Sequence, residues 1–568
     1  MPALPLRPLI PNPAISKRIP RSATGIAVFG FIAALTMAVS TANAATKPLV
    51  LDMVHQIPGD KPYVSAYDDP AFIKEIGYNG KVYFLFESPT LAIHWESVDP
   101  EILPKGSEER KWVDRKAAEI QALQKSCKEQ NITVFAQADL VLFPKRLVEK
   151  YGIEKSFGDI RQPKTAELLR AQIAETFEQF PLTDGLVVRI GETYLNDAPY
   201  HVGRIANKKG PEETIIPLLQ LLREEVCVKH GKKLIFRTWG SFDQSADAYQ
   251  RVSDAIEPHP NLMISIKHCE GDFHRGNPFS RSIGQGRHPQ IIEVQCAREY
   301  EGKGAYPNYI ARGVIEGFEE HARMPAGKIR SLREFVETKP ELYGGVWTWS
   351  RGGGWDGPYI KNEFWCDLNA WVLAQWAQDP TQSEEAIFQR YAKDRLGLQG
   401  GDVEAFRKLC LLSAAAVVRG RNSTHRDMDP WWTRDQGIAW PIIKGDRKRN
   451  LQQKDESVAL WKEIVKLAES IQWPDKKSRE HAIGSATYGL RLYEIYRCLV
   501  YLEDAEHRND QAAMRQWLQA YDEAWEVYNN LPSSHPQLAT LYTRNYSRHM
   551  KKAESKLQKL RATLAETF

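Results

Sequence analysis

Eight short apolar runs, separated by amphipathic stretches, constrain this sequence more than any other feature. They are LVLDMV from Leu49, KVYFLF from Lys81, ITVFAQA from Ile132, GLVVRI from Gly185, KLIFRTW from Lys233, LMISIK from Leu262, IIEVQC from Ile291 and YGGVWTW from Tyr343. Runs this rich in β-branched residues, without polar alternation, suit strands buried on both faces of a parallel sheet. The stretches between them, such as AAEIQALQKSCKEQ and TAELLRAQIAETFEQF, carry apolar residues at helical spacing. Eight such units before residue 360 predict an α/β fold of the (β/α)8 TIM barrel class, over residues 45–360. After residue 360 the strand signals stop and helical periodicity takes over, which predicts an all-α C-terminal domain over 361–568. Its one polar and aromatic interruption, RNSTHRDMDPWWTRDQGIAWP, reads as a loop over a cleft or as interdomain packing.

Residues 1–44 read as a signal peptide. Arg7, Lys17, Arg18 and Arg21 form a positive leader, GIAVFGFIAALTMAVS is a short apolar run, and Ala42-Asn43-Ala44 is a small-residue cleavage site. The expectation is a periplasmic or secreted protein with no membrane span after signal cleavage, a retained anchor being the alternative. Cys127, Cys227, Cys269, Cys296, Cys366, Cys410 and Cys498 show no metal-type spacing, and read as buried thiols rather than a disulfide framework. The 76 basic and 72 acidic side chains are too balanced for a nucleic-acid surface. No Gly-rich phosphate loop or His/Asp cluster points to a nucleotide or a metal, so no cofactor is expected. A homodimer is left open.

In a barrel of this kind, functional side chains stand at the C-terminal ends of the strands. The fourth run is followed by Arg189 and Glu192, the fifth carries Arg237 and Trp239, and the sixth leads to Lys267, His268, Glu270 and Asp272. The seventh leads to Glu293, Gln295, Arg298 and Glu299, the eighth to Trp347, Trp349, Arg351 and Trp355. Each alone reads first as a strand-end ion pair or a core ring. Together, several carboxylates with cations and indoles describe a sugar-cleaving pocket, in which one carboxylic acid protonates the leaving oxygen and another activates water or attacks. The cations point to a negatively charged sugar, because guanidinium and ammonium groups hold carboxylates in charge-assisted pairs.

The segments MISIKHCEGDF, IIEVQCAREYEG and GGWDGPYIKNEFWCDLNAWVLAQWAQDP resemble those of glycoside hydrolase family 67, the α-glucuronidases, over about residues 180–380. Lys267 stands five residues before Asp272, the spacing of that family's sixth-strand motif. Glu299 and Tyr300 match the end of its seventh-strand Gln-Glu-Tyr motif, with Arg298 in place of the glutamine. The resemblance implies an inverting, α-glucuronidase-like exo-enzyme acting on a uronic-acid-containing oligosaccharide or polysaccharide. Glu192 would be its general acid, with Asp272 and Glu299 holding and deprotonating the attacking water. Arg189, Arg237 and Lys267 would bind the uronate; Trp239, Trp347, Trp349 and Trp355 are candidates for stacking on the sugar ring, two of the four being expected in the core, and Trp239, Trp349 and Trp355 are taken as the binding set. His268 is expected to be structural, and Glu293, which alternates with Gln295, to turn into the barrel core or its rim, outside the catalytic set. The alternatives are a retaining glycosidase on a neutral or N-acetylated sugar and a catalytically inactive carbohydrate-binding relative. Gly191, where the family-20 hexosaminidases carry an aspartate, speaks against one form of the first.

Overall fold

The computed structural model describes residues 47–57, 61–190, 198–203, 210–239, 242, 245–324, 327–354, 357–429, 432, 440–544 and 548–566. Eight parallel strands close into a barrel: β1 (Leu49–His55), β2 (Gly80–Tyr83), β3 (Thr133–Asp139), β4 (Gly185–Arg189), β5 (Lys233–Arg237), β6 (Leu262–Lys267), β7 (Gln290–Gln295) and β8 (Tyr343–Gly352). All eight coincide with the apolar runs of the sequence. Each strand pairs with the next in the chain, and β8 closes on β1 with Leu51 opposite Trp347 and Met53 opposite Trp349. Alternate residues point inward, so Leu51, Val82, Phe135, Val187, Ile235, Met263, Ile291 and Trp347 fill the interior as one apolar cluster. A short antiparallel pair, Leu142–Pro144 with His201–Gly203, lies outside the barrel sheet.

The crossover segments form helices for local reasons. In α1 (Glu108–Glu129) the Ser107 hydroxyl accepts from the Arg110 amide at the N-terminus, and Val113, Ile120, Gln124 and Cys127 make the buried stripe. Among the other helices of the barrel layer are α2 (Pro163–Gln179), α3 (Pro211–Leu222) and α4 (Ala246–Ala255). The helix after β8, α5 (Phe364–Gln378), is buried on nearly every face: it packs on β8 and, through Trp365 Nε1 and Ser485 Oγ at 2.9 Å, against the helices that follow. The longest of these are α6 (Gly401–Arg421), α7 (Arg447–Ser470), α8 (Lys476–His507), α9 (Gln511–Asn529) and α10 (Arg548–Glu566). A (β/α)8 barrel followed by an all-α region is therefore the architecture, and residues 48–568 form one compact unit. Among the described residues no helix is long and apolar enough to cross a membrane.

One buried histidine of the helical region gives a pH-dependent stability. His481 on α8 lies against Phe364 and Trp365, and neither ring nitrogen has a hydrogen-bond partner among the described residues. Burial lowers its pKa to about 4. The unfolded chain takes up this proton below about 6.5 and the folded chain does not, so the site removes stability as pH falls from about 6.5 towards 4. Replacing His481 by Leu should therefore raise unfolding free energy by about 2 kcal/mol more at pH 5 than at pH 7.5. Other groups cancel in that difference, including Asp52, whose carboxyl burial raises to about 6 and which works in the opposite direction. Urea unfolding of both proteins at the two pH values measures it, and an equal mutant effect at both would contradict the assignment.

Candidate active site

The inward positions at the C-terminal ends of the strands change abruptly from apolar to charged. Below them lie Val187, Ile235 and Met263; above stand Asp139, Arg189, Arg237, Lys267, Glu293 and Gln295. Charges this deep in a barrel must find partners, because an isolated buried ion costs several kcal/mol. Arg189 meets Asp139 across β4 and β3 in a two-pronged pair at 2.8 and 2.5 Å. Arg237 meets Glu293 in another at 2.8 and 2.7 Å, and the Ser265 hydroxyl donates to the same carboxylate at 2.7 Å. Glu293 thus faces the interior, and two of the Arg237 nitrogens are committed to it. The third, Nη1, is buried without a hydrogen-bond partner among the described residues, while the guanidinium lies 5.1 Å from the ring centres of both Trp347 and Trp349.

Lys267 ends β6 and points at the loop beyond it. Its ammonium lies 3.8 Å from the centre of the half-buried Trp239 ring and donates to Asp272 Oδ1 at 2.5 Å. The Tyr300 hydroxyl donates to the other oxygen, Oδ2, at 3.0 Å. The motif spacing of Lys267 and Asp272 is therefore a direct contact. The loop achieves it with three successive residues in the left-handed region, Gly271, Asp272 and Phe273, at φ of 60°, 67° and 64°. Such conformations cost non-glycine residues about 1 kcal/mol or more and concentrate at functional sites. Arg298, before Glu299, is left-handed too, at φ 59°.

Glu299 is held from two sides. Its amide donates to Gln295 Oε1 at 2.6 Å. Opposite runs Gly352-Gly353-Gly354 from the end of β8, all left-handed, where a Cβ on Gly353 would stand 2.7 Å from Glu299 Oε2 and 2.4 Å from Gln295 Nε2. Only glycine allows that approach.

His55, at the end of β1, is a member of this group that the sequence reading missed. Its ring stacks on Trp349 with centroids 4.7 Å apart and an interplanar angle of 4°. Burial, reinforced by the positive guanidiniums of Arg189 and Arg237, holds the imidazole well below the usual histidine range, with Asp272 pulling weakly the other way. These four residues thus converge on one mouth. Asp139, ending β3, was missed as well. Both stand in the strand-end positions that flagged Arg189 and Arg237, so the same rule applied to β1 and β3 finds them.

Trp349 is only 4% exposed, with Phe273 at its edge and His55 on one face, and Trp347 is fully buried. His268 is buried among Phe273, Phe279 and Phe318, and burial, aided by Arg298, keeps its pKa well below the ordinary value. Glu192 and Trp355 lie outside the described residues. Among the described residues no group of three or more His, Cys, Asp or Glu could hold a metal ion.

No protein-family model matches the chain, and no curated protein matches it, so the resemblance to family 67 has no matching model behind it. Solved structures are similar to it, the first of the following to the extent of a shared fold. A GH138 enzyme targeting pectin rhamnogalacturonan II superposes with a TM-score of 0.56 at 12% identity, over 91% of this chain and 68% of that one. A Thermobaculum terrenum O-GlcNAc hydrolase mutant gives 0.41 at 9% identity, over 91% and 94% of the two chains. CpGH84B gives 0.41 at 10% identity, over 90% and 77%.

Proposed function

We propose that the protein is a glycoside hydrolase whose active site is the C-terminal mouth of the barrel. The observation that carries this reading is the pair of loop carboxylates, Asp272 and Glu299: the first stands on left-handed backbone with both oxygens hydrogen-bonded, and the second is fixed through its amide to Gln295 and lies against the left-handed Gly353. Lys267 and Tyr300 fix both oxygens of Asp272, which leaves it suited to hold a water rather than to rotate away. Glu192, following β4, supplies the proton to the leaving oxygen. The fold shared with an enzyme targeting pectin rhamnogalacturonan II supports a glycan as substrate.

Within that class the substrate we favour bears a uronic acid, bound near Lys267, Arg189 and Arg237, and is cleaved from the chain end with inversion. The side chains supporting this are cations at three adjacent strand ends. One observation favours the second reading, a neutral or N-acetylated sugar: each of the three cations already faces a protein carboxylate. Proton NMR of the protein with glucuronic-acid-substituted and with neutral oligosaccharides separates the two. Release of free uronate, first as the inverted anomer, is the expected result; release of neutral sugar alone would favour the second reading, and no product from any glycan would end the hydrolase proposal. Lys267→Met should weaken turnover of a uronate substrate by about a hundredfold or more, as for a lost desolvated charge pair. An equal loss on the reduced, uncharged analogue would make the lysine a partner of Asp272 alone.

A further inference from the structure

Arg298 does more than precede Glu299. Its guanidinium is 3% exposed and donates through Nη2 to the carbonyl of Phe273, the residue after Asp272, at 2.7 Å. The same guanidinium grips Glu301 at 2.9 and 2.6 Å. One side chain therefore fastens the β7 loop, which bears Glu299, to the β6 loop, which bears Asp272. Both loops contain left-handed non-glycine residues, a backbone that persists only where its surroundings over-determine it.

What holds Arg298 comes partly from outside the barrel loops. Asn308 Nδ2 donates to Glu301 Oε2 at 3.0 Å. Arg421, the last residue of α6, is 1% exposed and brings Nη1 to 4.0 Å from Glu301 Oε1. Its own carbonyl accepts the Trp432 indole N–H, which ties it to the aromatic segment after α6. Burial alone would raise the Glu301 carboxyl, but the guanidiniums of Arg298, Arg421 and Arg275 outweigh it and hold the group far below the usual carboxylate range. Glu301 is thus a permanent anion between two arginines, one from the barrel loop and one from the helical region.

We propose that Arg421 is a positioning residue: acting through Glu301 and Arg298, it fixes the two loops that carry Asp272 and Glu299, so that the helical region completes the geometry of the barrel mouth. Without its charge Glu301 keeps, among the described residues, Arg298 as its one ion-pair partner within 4 Å, the Glu301–Arg298 pair shifts to compensate, and the Arg298 bond to the Phe273 carbonyl is lost. The catalytic half of this inference rests on the hydrolase reading; the structural half does not.

Hydrogen exchange of the full chain, read by mass spectrometry on wild type, Arg421→Met, Arg421→Lys and Glu301→Gln, tests the structural half without substrate. The expected result is exchange about tenfold faster in peptides covering 270–276 and 297–303 in Arg421→Met and Glu301→Gln, with Arg421→Lys intermediate and the β5 and β6 peptides unchanged. On whichever glycoside the wild type cleaves, kcat should fall about tenfold or more with KM nearly unchanged, and Arg421→Lys should recover part of it. Unchanged exchange in 270–276, or uniformly faster exchange throughout the chain, overturns the proposal. If Arg421→Met does not fold, the isosteric Glu301→Gln decides by the same peptides. If the wild type cleaves no glycan while the exchange pattern holds, the hydrolase reading fails and the loop-fastening role stands.

Discussion

Asp272→Asn should lower glycoside turnover by about 10²- to 10⁴-fold, equally on substrates with good and poor leaving groups, because the attacking water is needed whichever group departs. Glu192→Gln should behave differently. Its loss should be of similar size for sugar leaving groups but small for aryl glycosides with an acidic phenol, which depart with little proton donation. Measuring both variants on both substrate types gives four rate ratios, and the roles depend on their pattern. An aryl substrate that rescues Asp272→Asn as well as Glu192→Gln would remove Asp272 from water activation. The amide also leaves the Lys267 ammonium, 6% exposed, without its ionic partner, although the Trp239 ring at 3.8 Å still offers its face. Because the Asn oxygen can still accept from that ammonium and Asp272 is 18% exposed, the loss of stability in Asp272→Asn should stay below that of a fully buried pair while activity is lost; a drop of about 3–5 kcal/mol together with the rate would assign the residue a structural role.

Arg237→Met should destabilise the fold by about 3–5 kcal/mol, the cost of leaving one member of a buried ion pair alone. Both side chains are 1% exposed, and among the described residues Glu293 would retain only the Ser265 hydroxyl as a close side-chain donor. Replacing Glu293 by Leu in the same chain should recover most of that loss, since two well-packed apolar residues often match a buried pair in stability. A double-mutant cycle by denaturant unfolding gives the coupling directly. If the single variant stays within about 1 kcal/mol of wild type, the pair is not the structural tie inferred from its geometry. A stable Arg237→Met that has lost only affinity for charged sugars would leave the arginine a substrate-binding role alone.

How much of this was readable beforehand depends on the range over which each signal acts. The eight strands were legible because burial on both faces forces a continuous apolar run, a local property that no tertiary contact needs to supply. Lys267 and Asp272 were legible as a spacing. That they touch requires the left-handed turn at Gly271, Asp272 and Phe273, which the letters Glu-Gly-Asp-Phe do not announce. Arg298 and Glu301 sit three apart in sequence, the spacing of an exposed helical pair; that the pair is buried, with Phe273, Asn308 and Arg421 against it, is a tertiary fact the spacing does not carry. Arg237 and Glu293 illustrate the opposite limit. Each was found as a strand-end residue, yet their bond joins two strands that are not neighbours in the barrel, and inward-facing side chains meet across its interior in ways no single strand records.

The seven cysteines are all buried and unpaired. Their thiols are shielded by the same core that defines the fold, and burial pushes Cys227, Cys366 and Cys498 up to about 12, far from the reactive thiolate. Covalent capture of these sulfurs therefore requires the chain to open. Because they are distributed from α1 to α8, a thiol-alkylating label becomes a clock for unfolding that distinguishes barrel from helical region by which peptide carries the tag. Reductants that dismantle disulfide-stapled proteins find no bridge among these seven sulfurs to cut.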